Sequence, residues 1–424
     1  MRKKSGWLFP FIRTTIFAIL LMTLGLILGF RYANEGSLFG QKISFFENLA
    51  KKTKASNLSN LINSSNGKAT ISMDTFWEVW QLLERDYLET AEIDENKMMD
   101  GAISGMVWGL GDPYTMYLPP EDNSKAEEDL AGSFYGVGIE LAYIDGVVGI
   151  IAPLSGSPGE KAGLLAGDMI IHIKDENTGL DEDTTNWTLD DAVKNIRGPK
   201  GTSVILSIYR KSDNSNQDIK VVREEIIVES VTLEFAENNG KKFAHLKLAK
   251  FGERTLDEWN KAVTEITKQK DQIAGLILDL RNNPGGFFDV SIDVASDFVK
   301  NGVVVSQKSK YNTKNYNSTG KARLVGIPTV VLVNKGSASA SEIVAGALRD
   351  DAKIKLIGEQ TFGKGTVQDR RELSNGGGLH ITVGRWLTPS GNWIHEDGLK
   401  VDVEVAQDYN TTDDEVLKKA LEQF

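Results

Sequence analysis

The sequence predicts an α/β core that carries an inserted β-rich module and is preceded by a helical region and an apolar N-terminal segment. From residue 229 onward, buried apolar strands such as "AGLILDLR" and "IPTVVLVN" alternate with helical stretches, which is typical of a sheet covered on both faces. Between residues 126 and 228, short strands rich in glycine surround two short helical stretches. Residues 14–30 contain no charged side chain.

The composition of the chain excludes several classes of function. A chain of 424 residues is too long for one ordinary domain, and its 41% apolar content is enough for substantial cores. Lys and Arg number 48 against 59 Asp and Glu, a net charge of −11 that argues against a nucleic-acid partner. The chain has no cysteine, which excludes disulfides, thiolate metal sites and cysteine nucleophiles.

The N-terminal segment predicts a membrane anchor. Basic residues at positions 2, 3, 4 and 13 precede the 17 uncharged residues 14–30, a length near the lower limit for crossing a bilayer. The flanking positive charge predicts a cytoplasmic N-terminus, residues 1–13, with the bulk of the chain exported. A cleaved signal peptide is the alternative, but Arg31 stands where such a cleavage site needs a small residue.

The next segments are predicted from polarity and helical spacing. Residues 31–70 are predicted to form a linker, and residues 71–125 a helical region. In the latter, "DTFWEVWQLLERDYLE" spaces its apolar residues along one helical face, and a second helix, "DENKMMDGAISGMVWGL", is ended by "GDPY". The β-rich module is assigned to residues 126–228, the α/β core to 229–411 and a C-terminal helix to 412–424.

Three serines stand at the predicted start of a helix, in "GSASASEIVAGALRD", residues 336–350. One interpretation is structural, since serine caps helices and alanine builds them. The other is that one hydroxyl is a nucleophile and that its neighbours must be small for a substrate backbone to approach.

A nucleophilic serine needs a base, and the sequence offers a lysine rather than a histidine. The chain has four histidines, which we predict to be structural: His172, His245, His380 and His395. In "GEQTFGKGTVQ", Lys364 lies between two glycines, and its nearest carboxylate along the chain is Glu359. The same stretch begins like a phosphate-binding loop, but Gly365 replaces the hydroxyl residue that such a loop needs for magnesium.

The stretch "LDLRNNPGG", residues 278–286, supplies two successive glycines after a strand. Gly285 and Gly286 allow backbone N–H groups to face a ligand without an intervening side chain. The alternative is a plain turn between a strand and a helix.

These three stretches resemble, in order and spacing, the signature blocks of the C-terminal processing peptidases, also called tail-specific proteases. Upstream, "YGVGIEL" and "IIAPLSGSPGEKAGLLAGDMIIHI" resemble the PDZ domain of that family, so that the likeness covers residues 73–424. It implies a ClpP/crotonase-like core sheet with helices and an inserted PDZ domain.

The resemblance also implies roles for individual residues. The family nucleophile corresponds to Ser339, its general base to Lys364, and the glutamine that orients the lysine to Gln368. The oxyanion-hole donors correspond to the backbone N–H groups of Gly285 and Ala340. In this interpretation the two outer serines cap and pack, while the alanines clear space around Ser339.

The PDZ resemblance implies a peptide-binding loop. Gly136, Val137, Gly138 and Ile139 correspond to the loop whose amides bind a terminal carboxylate while the peptide adds a strand to the sheet edge. Arg197, in "NIRGPKGT", is predicted to contact the peptide or the protease body, with a plain surface arginine as the alternative.

The sequence and this resemblance therefore predict a serine endopeptidase with a Ser-Lys dyad. It would recognise apolar C-terminal tails through its PDZ domain and degrade or process unfolded or tail-marked proteins. The predicted localisation is the bacterial cell membrane, single-pass, with the catalytic part extracytoplasmic. No metal or cofactor is implied, and a homodimer and an adaptor protein remain open as partners. The alternatives are a catalytically silent PDZ scaffold and a peptidase that stays inactive until its PDZ domain moves.

Overall fold

The computed structural model describes residues 71–407 and 413–424. The chain divides between Leu110 and Gly111 into two compact units, which are described separately. In the first unit, helix α1 covers Asp74–Asp86, a 3₁₀ turn covers Thr90–Glu92, and helix α2 covers Glu95–Trp108. Helix α1 has no buried residue, although aromatic rings contact one another along it.

The second unit opens with strand β1 (Met116–Leu118) and helix α3 (Pro120–Ala131). The β-rich module follows. Its elements are β2 (Ser133–Gly136), β3 (Ile139–Ile144), β4 (Val147–Pro153), α4 (Pro158–Lys161), β5 (Met169–Asp175), β6 (Leu180–Asp183), α5 (Leu189–Ile196), β7 (Ser203–Arg210), β8 (Ser215–Val222) and β9 (Glu224–Ile227).

The module is a small sheet folded around its own core. Its strand order is β3-β4-β5-β7-β8, and β6 pairs with β5. Strands β2 and β9 form a separate two-stranded sheet. Alternate residues of the strands point inward because side chains in a strand alternate between faces. Ile150, Ile170, Leu206 and Ile208 are fully buried in this core. Strand β3 lies at one edge of the sheet.

The α/β core contains the remaining elements. They are β10 (Val231–Asn238), β11 (Lys241–Leu248), α6 (Thr255–Lys268), β12 (Ile273–Asp279), α7 (Phe288–Ala295), β13 (Val303–Ser309), β14 (Thr313–Asn317), β15 (Thr329–Val333), α8 (Ala340–Asp350), β16 (Lys355–Gly358), β17 (Thr366–Glu372), β18 (Gly378–Leu387), β19 (Val403–Glu404) and α9 (Glu415–Leu421).

The central sheet has the order β10-β11-β12-β15-β16-β19 and is parallel from β11 onward. Neighbouring residues of β12 enter different cores, because side chains alternate across a strand. Leu276 and Leu278 pack with the cluster that includes α6, α7 and α8, whereas Ile277 packs with Val416 and Ala420 of α9. The sheet is thus covered on both faces, as its uninterrupted apolar strands predict.

A second sheet forms beside the first. Strand β18 pairs with β17 along one edge and with β1 and then β13 along the other, and β14 completes the sheet next to β13. The long β18 brings together residues that are distant in sequence: Met116 lies opposite His380, and Thr366 lies opposite Arg385. Strands β13, β14 and β17 were not among the elements predicted from the sequence.

The predicted localisation, a single-pass protein of the bacterial cell membrane, is wrong, because the structure contradicts it. Within residues 71–407 and 413–424, the helices are too short and too polar to cross a bilayer. The longest, α2 and α6, have 14 residues, and a helix of that length extends about 21 Å, whereas the hydrocarbon core measures about 30 Å. The predicted span, residues 14–30, lies outside the described residues.

A buried ion network joins the last helix to the central sheet. Asp279, at the end of β12 and 2% exposed, accepts hydrogen bonds from Arg281 Nη2 at 2.6 Å and faces His245 Nε2 at 3.0 Å. Arg281 also donates to both carboxylate oxygens of Asp414, at 2.8 and 2.9 Å. Burial alone would raise the pKa of Asp279, but hydrogen bonds from His245 and Arg281 outweigh it and hold the pKa at about 2.

Because the pKa of Asp279 is lower in the folded chain than in the unfolded one, its carboxylate stabilises the fold above pH 4. That stabilisation is lost as the pH falls from about 4 to about 2 and amounts to roughly 2 kcal/mol. We expect Asp279→Asn to lower the free energy of unfolding at pH 7, and the deficit to shrink across this window.

Urea unfolding at pH 7, 4 and 2.5 measures the effect of Asp279→Asn. Asp271→Asn, at an exposed position just before β12, is the matched control and should change little at any of the three values. A deficit for Asp279→Asn that does not depend on pH would contradict the assignment of the low pKa.

Candidate active site

Ser339 lies immediately before α8, at the N-terminus of an 11-residue helix. Its backbone has φ 55° and ψ −115°, in the positive-φ region that a residue with a Cβ adopts at a cost of about 1–3 kcal/mol. The partial positive charge of the helix N-terminus is concentrated here, where the first amides lack intrahelical acceptors. The position is therefore strained and electropositive, and it is held by its surroundings.

The two outer serines of the "SASAS" stretch join this loop to the turn that follows β12. Ser337 Oγ donates to the carbonyl of Leu280 at 2.8 Å, and Ser341 Oγ donates to the carbonyl of Asn283 at 2.8 Å. Both serines are fully buried. Their hydroxyls are thus used within the protein, as the capping and packing interpretation predicts.

The turn after β12 comes within van der Waals distance of Ser339. Gly285 has φ 102°, and a Cβ built on it would lie 2.8 Å from the carbonyl oxygen of Ala338 and 2.9 Å from Cβ of Ser339. Only glycine fits this approach. The N–H of Gly285 donates to Oδ1 of the fully buried Asn283 at 2.9 Å. Ala340, whose N–H is the other predicted oxyanion donor, is the first residue of α8.

A single buried carboxylate connects the serine loop to the lysine loop. Oε2 of Glu342 accepts the N–H of Ser339 at 2.8 Å and the N–H of Lys364 at 2.9 Å. Oε1 accepts the hydroxyl of Thr361 at 2.5 Å and the N–H of Gly363 at 2.7 Å. The amide nitrogens of Ser339 and Lys364 are therefore no further apart than the sum of their two distances to Oε2.

Glu342 is fully buried, and burial raises its pKa, while the four donors act in the opposite direction. All four bonds use the carboxylate as an acceptor. A neutral amide or a protonated acid in its place would direct a hydrogen at one of these donors.

The main chain of Lys364 is fixed on both sides. Its N–H is bound by Glu342, and its carbonyl accepts the indole N–H of the buried Trp386 at 2.8 Å. The side chain is held differently. Among the described residues its Nζ makes no hydrogen bond or ion pair, and it lies 5.3 Å from the ring centroid of Tyr114.

Burial lowers the pKa of Lys364, and the negative charges of Asp112 and Glu342 partly oppose that shift. The two acids that act on Lys364 in the folded chain are not the one nearest to it in the sequence. Sequence distance pointed to Glu359, which instead pairs with Lys335 at 3.2 Å. The net shift of the Lys364 pKa is downward, toward the neutral amine that can accept a proton.

The "GDPYT" stretch, interpreted from the sequence only as a helix stop, contributes to this site. Asp112 accepts the N–H of Tyr114 at 3.0 Å and the hydroxyl of Thr115 at 2.6 Å, and Thr115 Oγ1 accepts the N–H of Thr382 on β18. These bonds hold the ring of Tyr114 over Lys364. Tyr114 also contacts the ring of His395, with centroids 5.6 Å apart.

Gln368 lies on β17, four residues after Lys364. Its Nε2 donates to Oγ1 of Thr366 at 2.9 Å and to Oγ1 of Thr382 at 3.2 Å. These bonds fix the orientation of the amide. The described structure contains no hydrogen bond between Gln368 and Lys364, so the orienting role of Gln368 stays a prediction.

The four histidines make contacts that do not include Ser339. His172 pairs with Asp181, His245 with Asp279, and Nε2 of His380 accepts from Arg370 at 3.2 Å. Burial lowers the pKa of His380. His395 stacks on Trp393, with centroids 4.8 Å apart.

The predicted peptide-binding loop lies between β2 and β3 of the module. The carbonyl of Val137 accepts the N–H of Gly159 at 2.7 Å, and that of Gly138 accepts the N–H of Leu154 at 2.9 Å. Gly138 has φ 70°, and a Cβ there would lie 2.5 Å from Cβ of Ser157. The loop is thus tightly packed, and it leads from Gly136 into Ile139 at the start of the edge strand β3.

Arg197 follows α5 and contacts elements outside the module's main sheet. Its Nη1 donates to Glu128 of α3 at 3.1 Å, and its guanidinium lies 4.0 Å from the ring centroid of Phe134. Both charged partners are about one-third exposed, and such pairs contribute little to stability. Arg197 is therefore positioned between α3 and β2, the strand that leads into the peptide-binding loop.

Three residues of the site were missed from the sequence: Glu342, Tyr114 and Asp112. Glu342 stands three residues after the nucleophile candidate, the spacing of a capping box, and that spacing was the available signal. No sequence signal connects Tyr114 or Asp112 to a lysine some 250 positions later, because β1 and β18 bring them together.

Comparison with known proteins gives the family. The carboxy-terminal processing protease CtpA of Bacillus subtilis (strain 168) is 37% identical over 332 residues, which cover 78% of this chain and 68% of that protein. The chain belongs to the family of carboxy-terminal processing proteases. CtpB of the same organism is 35% identical over 354 residues, covering 82% of this chain and 71% of CtpB.

Three family models match parts of the chain. The peptidase family S41 model matches residues 242–405, a PDZ domain model matches 149–210, and the activating protease CtpB N-terminal domain model matches 34–122. A putative S41 protease from Bacteroides fragilis has the same fold, with a TM-score of 0.50 and 16% identity over 85% of this chain and 98% of that one. The predicted family and the presence of a PDZ domain are confirmed.

Glu342→Gln should abolish most activity of this S41 peptidase, because an amide cannot accept from four donors at once. We expect kcat/KM to fall by about a hundredfold or more, from displacement of the serine and lysine loops. Peptide cleavage and thermal unfolding measure the two effects separately.

Glu258→Gln is the matched control for Glu342→Gln. Glu258 is a largely buried carboxylate that accepts the N–H groups of Ser230 and Val231 at 2.7 and 3.1 Å. It should lose comparable stability and keep its activity. Equal activity losses in the two variants would show that Glu342 acts only through general stability.

Proposed function

We propose that this S41 peptidase is a serine endopeptidase in which Ser339 is the nucleophile and Lys364 the general base. The observation that carries the proposal is the shared carboxylate: one oxygen of Glu342, Oε2, accepts the backbone N–H groups of both residues. Burial favours the neutral form of Lys364, which is the form that can accept a proton.

The proposed reaction is acyl transfer in two stages. Ser339 Oγ attacks the scissile carbonyl, Lys364 Nζ takes the hydroxyl proton, and the same amine then protonates the leaving amine of the substrate. Water, deprotonated by Lys364, hydrolyses the acyl-enzyme and releases Ser339. Gln368 is proposed to orient the lysine, and the packing of Tyr114 over Lys364 limits water around the amine.

The proposed oxyanion hole consists of the N–H groups of Gly285 and Ala340, supported by the helix N-terminus. The N–H of Gly285 is bound to Oδ1 of Asn283 in this structure. The oxyanion must therefore share or replace that acceptor before both donors act together. The close approach of Gly285 to Ser339 supports its place in the site.

The PDZ domain is proposed to select substrates by their apolar C-terminal tails. Strand β3 is an edge strand, so that a peptide can extend the sheet there while the amides of the loop at residues 136–139 bind its terminal carboxylate. Unfolded or tail-marked proteins are the substrate class that this arrangement favours, since both the sheet edge and the active site take extended chain.

Cleavage of one unstructured polypeptide tests the assignment of the catalytic pair. Ser339→Ala and Lys364→Ala should each lower kcat/KM by about 10³-fold or more, as expected for loss of a nucleophile or its base. Lys335→Ala, with 80% of the side chain exposed, is the control and should retain activity.

In the wild type, kcat/KM should rise with pH through the Lys364 pKa, with a midpoint below 10.5.

If wild type and Ser339→Ala both leave the polypeptide intact, the chain is better described as a PDZ scaffold. If Lys364→Ala cuts as fast as wild type with the same pH profile, another base must act.

Tail selection is tested with the same polypeptide carrying a free or an amidated C-terminus. Amidation removes the charge that the loop amides would bind, and we expect kcat/KM to fall about tenfold or more. Gly138→Ala, whose Cβ would clash with Ser157, should reduce this difference. Gly146→Ala, also at positive φ but with open space around it, should not. Equal cleavage of both polypeptides by wild type would contradict tail selection.

A further inference from the structure

A cavity of about 420 Å³ lies beside the candidate active site, over the sheet formed by β13, β18 and β17. Three basic side chains line it: Lys308, Lys310 and Arg385. Trp393 and His395 form an aromatic wall, and their rings are nearly parallel, with an interplanar angle of 16°. The cavity therefore combines clustered positive charge with a flat apolar surface.

The basic residues of this cavity have no acidic partner among the described residues. Lys308 of β13 lies directly opposite Arg385 of β18 in the sheet register, an arrangement of like charges that destabilises a sheet. By contrast, the two arginines of β17 are paired, Arg370 with Glu127 and Arg371 with Asp369. The chain has 59 acidic residues, but none of those described pairs with Lys308 or Arg385. The repulsion between these two side chains is therefore not compensated.

Arg385 is held in place without using its hydrogen-bond donors. Its guanidinium lies 4.1 Å from the ring centroid of Trp393, and stacking of this kind orients the planar group while its N–H edge stays free. A planar fork with free donors matches the two oxygens of a carboxylate.

The cavity shares its wall with the proposed catalytic apparatus. Thr366 and Thr382, which accept the two hydrogen bonds of Gln368, also line the cavity. The indole N–H of Trp393 donates to the carbonyl of Gly365 at 2.8 Å, next to Lys364. Nδ1 of His395 is buried without a partner among the described residues. An extended polypeptide in the active site would therefore pass close to the cavity.

We propose that this cavity binds a carboxylate of the polypeptide substrate and so makes an acidic group near the scissile bond a specificity determinant. The inference rests on the proposed endopeptidase function. Lys308 and Arg385 supply the charge, and Trp393 covers the aliphatic part of the acidic residue. The carboxylate comes either from an Asp or Glu side chain or from the terminus of a chain cut near its end.

The experiment uses one unstructured polypeptide whose cleavage site in a neutral form has been mapped by mass spectrometry. Glutamate is then placed, one position at a time, within four residues on either side, and each peptide is compared with its glutamine counterpart. A parallel peptide ending inside this window is made with a free and with an amidated terminus. Binding of the same labelled peptides to Ser339→Ala is measured by fluorescence anisotropy.

We expect wild type to favour the carboxylate at one or two adjacent positions by about tenfold, in kcat/KM and in affinity. The double variant Lys308→Gln/Arg385→Gln should lose this preference and cleave the glutamine peptides at the wild-type rate. The matched control Lys314→Gln/Arg371→Gln removes the same total charge from neighbouring strands outside the cavity and should retain the preference. Arg385→Glu should favour lysine at the same position.

A preference that follows glutamate identifies a side-chain carboxylate, and one that follows amidation identifies a chain terminus. Either result supports the cavity when Lys308→Gln/Arg385→Gln removes it, since an effect of amidation that survives in the double variant belongs to the PDZ domain. The proposal is overturned if wild type shows no preference, or if the double variant and its control behave alike. If wild type cuts no peptide, the endopeptidase proposal fails instead. Anisotropy with glutamate and glutamine forms of an amidated polypeptide, measured on Ser339→Ala with and without Lys308→Gln/Arg385→Gln, then decides whether the cavity binds carboxylates.

Discussion

The site depends on one buried carboxylate that is shared by two loops. Glu342 binds four donors, and two of them are the backbone amides of Ser339 and Lys364. A fully buried charge is stable only when it is fully bonded, so the carboxylate determines how the loops lie against each other. The positive φ of Ser339 is acceptable for the same reason, because the bond from its N–H offsets part of the strain.

Two opposing electrostatic requirements meet within this small volume. Glu342 has to be charged to accept four donors, whereas Lys364 has to be neutral to act as a base. The same negative charge that orders the loops favours the protonated lysine, and Asp112 adds to that effect. Burial, to which the ring of Tyr114 contributes, is the larger influence on Lys364. Tyr114 and Asp112 come from one stretch just before β1, and Glu342 comes from α8.

The fold supports the site from two sheets. The central sheet carries the turn of Gly285 at the end of β12 and the loop of Ser339 at the end of β15, and parallel strands bring these ends to one edge. The second sheet carries Gln368 and the cavity on β17, β18 and β13. The main chain of Lys364 links the two sheets, since it is bonded both to Glu342 of α8 and to Trp386 of β18.

The sequence by itself determined the family, the domain types and the catalytic candidates. These features depend on local patterns: apolar strands, helix starts, and short motifs such as "GSASASE" and "FGKG". It led to a membrane localisation that the described helices do not support, and it overlooked the acids near Lys364. Only the tertiary structure decided which residues surround the lysine, because Tyr114, Asp112 and Glu342 reach it through strand pairing and helix packing. Their distance along the chain carries no information about that contact, since burial and charge act through space.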